Sequence, residues 1–114
     1  METSEFSALA ARVAAGLDDV RACLFVSRDG LTLGAFPPGG EAQARQSWDR
    51  LVGLGGEPER GFLIIGDELW VVARRGRYTG LAVASTAQSP GLLLDRLDSG
   101  LRAIEEARQR EDAA

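Results

Sequence analysis

The side chains that most often carry chemistry are thinly spread over these 114 residues. The sequence has no His, no Lys and no Asn, and a single cysteine, Cys23. Without His there is no Ser–His or Cys–His nucleophile pair and no imidazole ligand for a metal. Without Lys there is no Schiff base and no phosphate-gripping lysine of the Walker or kinase type. Gly39-Gly40 and Gly55-Gly56 therefore read as turns rather than phosphate loops. Asp18-Asp19 and Asp67-Glu68 are adjacent acids, but adjacent strand residues point to opposite faces, so neither is an acid–base pair. Cys23 sits in an apolar run with no cation beside it, which marks a packed, inert thiol. We expect no catalytic residue, no cofactor and no metal, and hence no enzyme.

All 13 basic residues are Arg, a bias that fits a GC-rich genome. Arg74, Arg75 and Arg77 gather near one turn, with Arg60 elsewhere in the chain. Such a cluster can clamp a phosphate or an acidic partner loop, or reach a partner's nucleotide as an arginine finger. A solvated turn is the plainer use of the same residues. The formal charge of −4 argues against nucleic acid as the principal partner. With 45% hydrophobic and 26% charged residues, the composition is that of an ordinary soluble globule. One thiol cannot form an internal disulfide, the start Met1 to Glu5 is acidic where a signal peptide is basic, and no apolar run approaches the roughly 18 residues of a membrane span. The expectation is a cytoplasmic protein with no membrane insertion. One domain should span 1–114, with its core over about 6–107 and a tail, 108–114, that frays.

The elements that must position any site follow from periodicity. Phe6, Leu9, Val13 and Leu17 give a helix over Ser4 to Leu17, with Thr3 or Ser4 as cap. Ala22–Ser27 and Leu31–Phe36 flank Arg28-Asp29-Gly30, a strong hairpin signal. The first of these strands is apolar on both faces, so it belongs inside a covered sheet. Glu41 to Leu54 is helical, with Ala44, Trp48, Leu51 and Val52 on one face, and Gly55 to Gly61 is a loop. Phe62–Gly66, Leu69–Arg74 and Tyr78–Ala84 are strands whose connections are too short for parallel crossovers. Ser89-Pro90 caps and opens a last helix with its stripe at Leu93, Leu94, Leu97, Leu101 and Ile104. The order is α-ββ-α-βββ-α, and helices on both faces of one sheet would cover every apolar surface.

The string Ala22-Cys23-Leu24-Phe25-Val26-Ser27-Arg28-Asp29-Gly30-Leu31-Thr32-Leu33-Gly34 resembles the first hairpin of Roadblock/dynein-light-chain domains. Element order and length agree from Phe6 to Ala107, and the chain is similar to the bacterial single-domain members. The resemblance implies an α+β fold of profilin-like architecture: a five-stranded antiparallel sheet in the order 2-1-5-4-3, the middle helix on one face and the other two opposite. It further implies a homodimer joined through the middle helix and third strand. Such dimers are non-catalytic adaptors or regulators that bind a small Ras-like GTPase in signalling or polarity complexes. The Gly-rich loop and the bulky Trp48 depart from the family.

If the third strand is an edge, Phe62, Leu63, Ile64 and Ile65 present unpaired backbone beside bare hydrocarbon, which soluble monomers usually avoid. A second copy pairing there is the functional reading; an internal strand is the other. Trp48 serves either as core filler or as an interface anchor. The flank bearing Arg45, Trp48, Asp49 and Val52 is the expected helix contact, and Arg45 with Asp49 also suits an ordinary i,i+4 surface pair. The alternative class is a small-ligand sensor of the GAF or PAS type, which needs a cavity of about 300 Å³ or more between sheet and helix.

Overall fold

The computed structural model describes residues 5–53 and 59–113, with side chains as far as Arg110. The proposed caps Thr3 and Ser4, Leu54, and most of the Gly55–Gly61 loop lie outside the described residues. The elements are α1 (Glu5–Ala14), β1 (Val20–Ser27), β2 (Thr32–Phe36), α2 (Glu41–Gly53), β3 (Arg60–Ile65), β4 (Glu68–Arg75), β5 (Tyr78–Ser85) and α3 (Pro90–Ala113). The five strands form one antiparallel sheet in the order β2-β1-β5-β4-β3, as expected, so β2 and β3 are its edges.

Two-residue turns build the β3-β4-β5 side. Ile65 faces Glu68 across Gly66-Asp67, and Arg75 faces Tyr78 across Gly76-Arg77. Gly66 at φ 61° and Gly76 at φ 60° hold the first central position, the left-handed conformation that lets a tight turn follow the twist of its strands. The sheet has a core on each side. Phe25, Leu69 and Val71 pack under Leu93, Leu97, Leu101 and Ile104 of α3, with Ala10 and Val13 of α1. Leu24, Trp70, Val72, Leu81 and Val83 pack on the other face with Ala44 and Leu51 of α2. Cys23 is buried on the α1/α3 side, where loss of solvation pushes its thiol pKa far up and leaves no nucleophile.

α1 lies directly on β2. A Cβ at Gly34 would sit 2.3 Å from the Phe6 carbonyl carbon, so this strand position needs glycine for close approach of the helix. α1 stops at Ala14, three residues before Leu17. Gly16 turns the chain at φ 75°, and the Arg96 guanidinium donates to the carbonyls of Val13 at 2.9 Å and Ala15 at 2.5 Å. A residue more than 80 positions away thus satisfies helix-end acceptors that no local pattern reveals. β2 begins at Thr32, leaving Leu31 exposed at the hairpin tip. α3 spans Pro90–Ala113. No helix among the described residues is long and apolar enough to cross a membrane.

Candidate functional site

β3 is an uncovered edge with an apolar outer row. Its register against β4 pairs Arg60 with Ala73, Phe62 with Val71 and Ile64 with Leu69. In a two-residue hairpin the flanking pair, here Ile65 and Glu68, exchanges both hydrogen bonds, and bonded pairs then alternate. Ile65, Leu63 and Gly61 are therefore tied to β4, whereas the N–H and C=O groups of Arg60, Phe62 and Ile64 point outward from the sheet. The side chains of the two sets lie on opposite faces. Leu63 and Ile65 pack against the α2-side core. Phe62 and Ile64 lie on the α3 side and are 55% and 59% exposed, because α3 covers β4 and β5 and stops short of β3. The Arg60 guanidinium bridges to Asp98 of α3, at 2.6 Å and 2.8 Å to its two oxygens. The four apolar residues singled out from the sequence are thus on an edge, but only two of them are bare.

The expected helix flank divides in the same way. Arg45 donates to the Gly30 carbonyl and lies 3.5 Å from both Thr32 Oγ1 and an Asp49 oxygen. It braces the β1–β2 hairpin, at the opposite edge of the sheet from β3. Trp48 is half-buried against the α2-side core. Val52 is 44% exposed, not on the core face: Ala44, Trp48 and Leu51 at i, i+4 and i+7 take the contact, and Val52 lies a further 100° round the helix. Arg50, which no pattern singled out, holds its guanidinium 5.8 Å from the Trp70 ring centroid. The indole Nε1 of that buried Trp70 finds no hydrogen-bond partner.

The arginine trio does not form one patch. Arg75 pairs with Glu105 of α3 at 3.2 Å, while Arg74, one residue earlier on the strand, lies on the α2 side of the sheet. Arg77 is exposed on the turn.

Sequence reading missed a polar latch. Ser85 Oγ donates to Asp19 Oδ2 at 2.7 Å, and the Gln88 side-chain amide donates to Oδ1. These two bonds, Ser85 first, hold the Asp19 carboxyl below the usual carboxylate range. They pin the β5–α3 connection to the start of β1. Their partners are separated by 66 and 69 residues, so no short-range signal exists. Grooves of about 210 Å³ and 250 Å³ lie between α1 and α3 on the outer surface, not between sheet and helix as a sensor pocket requires. Among the described residues no three Asp, Glu, Cys or His gather to hold a metal ion.

The sequence matches no family model and no curated protein. Solved structures match across most of the chain. A Roadblock/LC7 domain from Streptomyces avermitilis superposes with a TM-score of 0.66 at 14% identity, covering 90% of this chain and 97% of that one. The chain has the Roadblock/LC7 fold. Myxococcus xanthus MglB gives 0.68 at 12% identity, over 96% of this chain and 99% of its own. The gliding protein MglB from Thermus thermophilus gives 0.59 at 18% identity, over 94% and 99%. In this fold β3 is one of the two terminal strands, and its outer row has no strand neighbour among the described residues.

Proposed function

We propose that the chain is a non-catalytic homodimeric adaptor that binds and modulates a small Ras-like GTPase in the cytoplasm. The observation that carries this reading is the β3 edge, where Phe62 and Ile64 expose hydrocarbon and the N–H and C=O groups of Arg60, Phe62 and Ile64 point away from β4. A second β3 running antiparallel satisfies them best with Phe62 on the two-fold axis. Phe62 then faces Phe62 of the other copy, Arg60 faces Ile64, and each of the three outward residues gives one donor per copy. The result is one continuous sheet through both copies. Leu63 and Ile65, with Trp48 and Val52, form the α2-side flank of this junction; Arg45 and Asp49 support it from behind by fixing α2 to the hairpin. Arg77, exposed on the β4–β5 turn, offers positive charge to an acidic partner loop.

The GTPase assignment rests on the likeness to MglB and on the Roadblock resemblance of the first hairpin. A chain with neither His nor Lys would act by positioning the partner's own switch elements rather than by supplying a base. The test is titration of the purified chain into purified Ras-like GTPases from the same organism, loaded with GDP or a non-hydrolysable GTP analogue. The reading expects nucleotide-dependent binding and an altered hydrolysis rate. Equal, negligible binding of both forms by every such GTPase would refute it.

A further inference from the structure

The seam between α1 and α3 lies away from β3 and owes nothing to self-association. The two helices run antiparallel: the Arg108 guanidinium stands 5.5 Å from the Phe6 ring centroid at one end, and Arg96 meets the Val13 carbonyl at the other. The grooves of about 250 Å³ and 210 Å³ follow one another along this seam and share Leu9, Arg12 and Ala103. Joined, they pass the roughly 300 Å³ at which ligand sites begin. At about 1.5 Å per residue, the Glu5–Val13 stretch of α1 makes the seam about 12 Å long.

The seam is open because α3 turns small residues toward α1. Ala103 and Ala107 reach no further than Cβ, and Gly100 has none. That glycine is required from below, since a Cβ there would stand 2.6 Å from the Phe25 ring. α1 lies on β2, at the sheet edge opposite β3, so pairing through β3 leaves the seam accessible.

The two halves of the seam differ in charge. One is floored by Leu9, Val13, Gly100 and Ala103, with Asp95 and Ser99 exposed at its rim. Its Arg96 is committed to the carbonyls of Val13 and Ala15. The other half receives Arg12 from α1 and Arg110 from α3, with Glu5 as its one acid. Neither Arg12 nor Arg110 has an ion pair among the described residues, whereas Arg21, Arg45, Arg60 and Arg75 each meet a carboxylate. A positive excess thus stands beside bare hydrocarbon in a chain whose formal charge is −4.

We propose that the seam binds a single-chain fatty carboxylate. Its head lies between Arg12 and Arg110, and its tail runs along Leu9, Ala103, Gly100 and Val13. The carboxylate presents two oxygens to the guanidinium forks, and an unbranched tail suits a furrow floored by glycine and alanine. A cationic head is repelled by the same two arginines.

The probe is decanoate, kept below its micelle concentration and titrated into the full chain while amide NMR shifts are followed. The expected result is saturable shifts along the facing sides of α1 and α3, with a dissociation constant of about 1 mM or tighter. Half of each methylene stays in water, so octanoate binds about fourfold more weakly, a factor of about two per methylene. Arg12→Gln, at an exposed position, weakens decanoate binding at least about fivefold. Ala103→Phe, which fills the seam where its halves meet, weakens it at least about tenfold. Decyltrimethylammonium, with the same tail and the opposite head, leaves the seam unshifted. No shift with decanoate at about 10 mM, equal shifts with decyltrimethylammonium, or undiminished binding by Arg12→Gln would each overturn the proposal. Attachment to phosphatidylglycerol vesicles without any decanoate shift would give the seam to a membrane surface and overturn it as well.

Discussion

Proline scanning of β3 separates an interface from a mere surface, because the strand alternates between two sets of backbone groups. The N–H of Ile64 points outward and that of Leu63 points to Trp70 on β4, as the Ile65–Glu68 turn requires. Proline removes that N–H, and sheets tolerate it where the missing donor faces solvent. In the monomer Ile64→Pro therefore breaks no ladder bond. In the dimer it deletes one donor from each copy, each aimed at the Arg60 carbonyl opposite. Two hydrogen bonds at about 1 kcal/mol each amount to about 2 kcal/mol, or roughly 30-fold in the dissociation constant. The stranded carbonyls and the bulk of the ring add to that loss. Leu63→Pro should act the other way round, breaking an intrachain bond and lowering the melting temperature by about 4 °C for each kcal/mol lost. Sedimentation equilibrium reads the first effect and thermal circular dichroism the second. A folded Ile64→Pro variant whose two-chain mass survives dilution as well as the parent's would show that β3 does not pair with a second copy.

Three further outcomes follow from the same structure. With Phe62 on the two-fold, residue 64 faces Arg60 of the other copy, so Ile64→Lys should shift the dimer toward monomer more than Ile64→Glu: like charges directly opposite each other destabilise, whereas an opposite-charge pair contributes about 0.2–1 kcal/mol. The two substitutions weakening it equally, in low-salt sedimentation, would exclude that register. Gly34→Ala places a Cβ against the Phe6 backbone and forces α1 off β2, for which overpacking predicts a loss of about 1–3 kcal/mol in urea unfolding; an unchanged midpoint would contradict the close approach. Because the folded Asp19 carboxyl titrates below its ordinary value of 3.8, its contribution to stability is complete above that pH and is lost as the pH falls through the lower, folded value. Asp19→Asn should therefore flatten the acid limb of a pH–melting curve below about pH 4, and identical limbs would show that the latch does not form.

Element order was readable from period and turn chemistry alone. Asp29-Gly30 is a local signal, whereas the third strand was read through Gly66 with its turn at Asp67-Glu68, one residue later than the Gly66-Asp67 turn that forms; the five-strand order follows the Roadblock resemblance of the Ala22–Gly34 string. The end of α1 was not readable, since its acceptors are satisfied by Arg96 from α3. Nor was the latch at Asp19, whose partners lie 66 and 69 residues ahead. Val52 illustrates a subtler limit. A stripe of four apolar residues on a helix is wider than the contact a half-covered sheet offers, and only the packing of Leu51 decides which flank is left in water. The arginine trio failed as a unit for a simpler reason: sequence neighbours on a strand face apart.

The alternation of β3 also decides which of its groups the proposed homodimer would use. In that arrangement the outward backbone row of Arg60, Phe62 and Ile64 would pair with a second copy. The side chains of those same residues stand perpendicular to the pairing plane and remain available on the α3 side. Leu63 and Ile65 are committed to the opposite face, with Trp48 and the α2 core. In the proposed homodimer one short strand would thus divide its bonding between self-association and internal packing. A proline at 62 or 64 should weaken the pairing more than an uncharged polar side chain there, because it removes an outward donor as well as altering a cross-strand contact. Equal two-chain masses on dilution for the parent, the proline and the polar variants would return Phe62 and Ile64 to the status of ordinary exposed hydrocarbon.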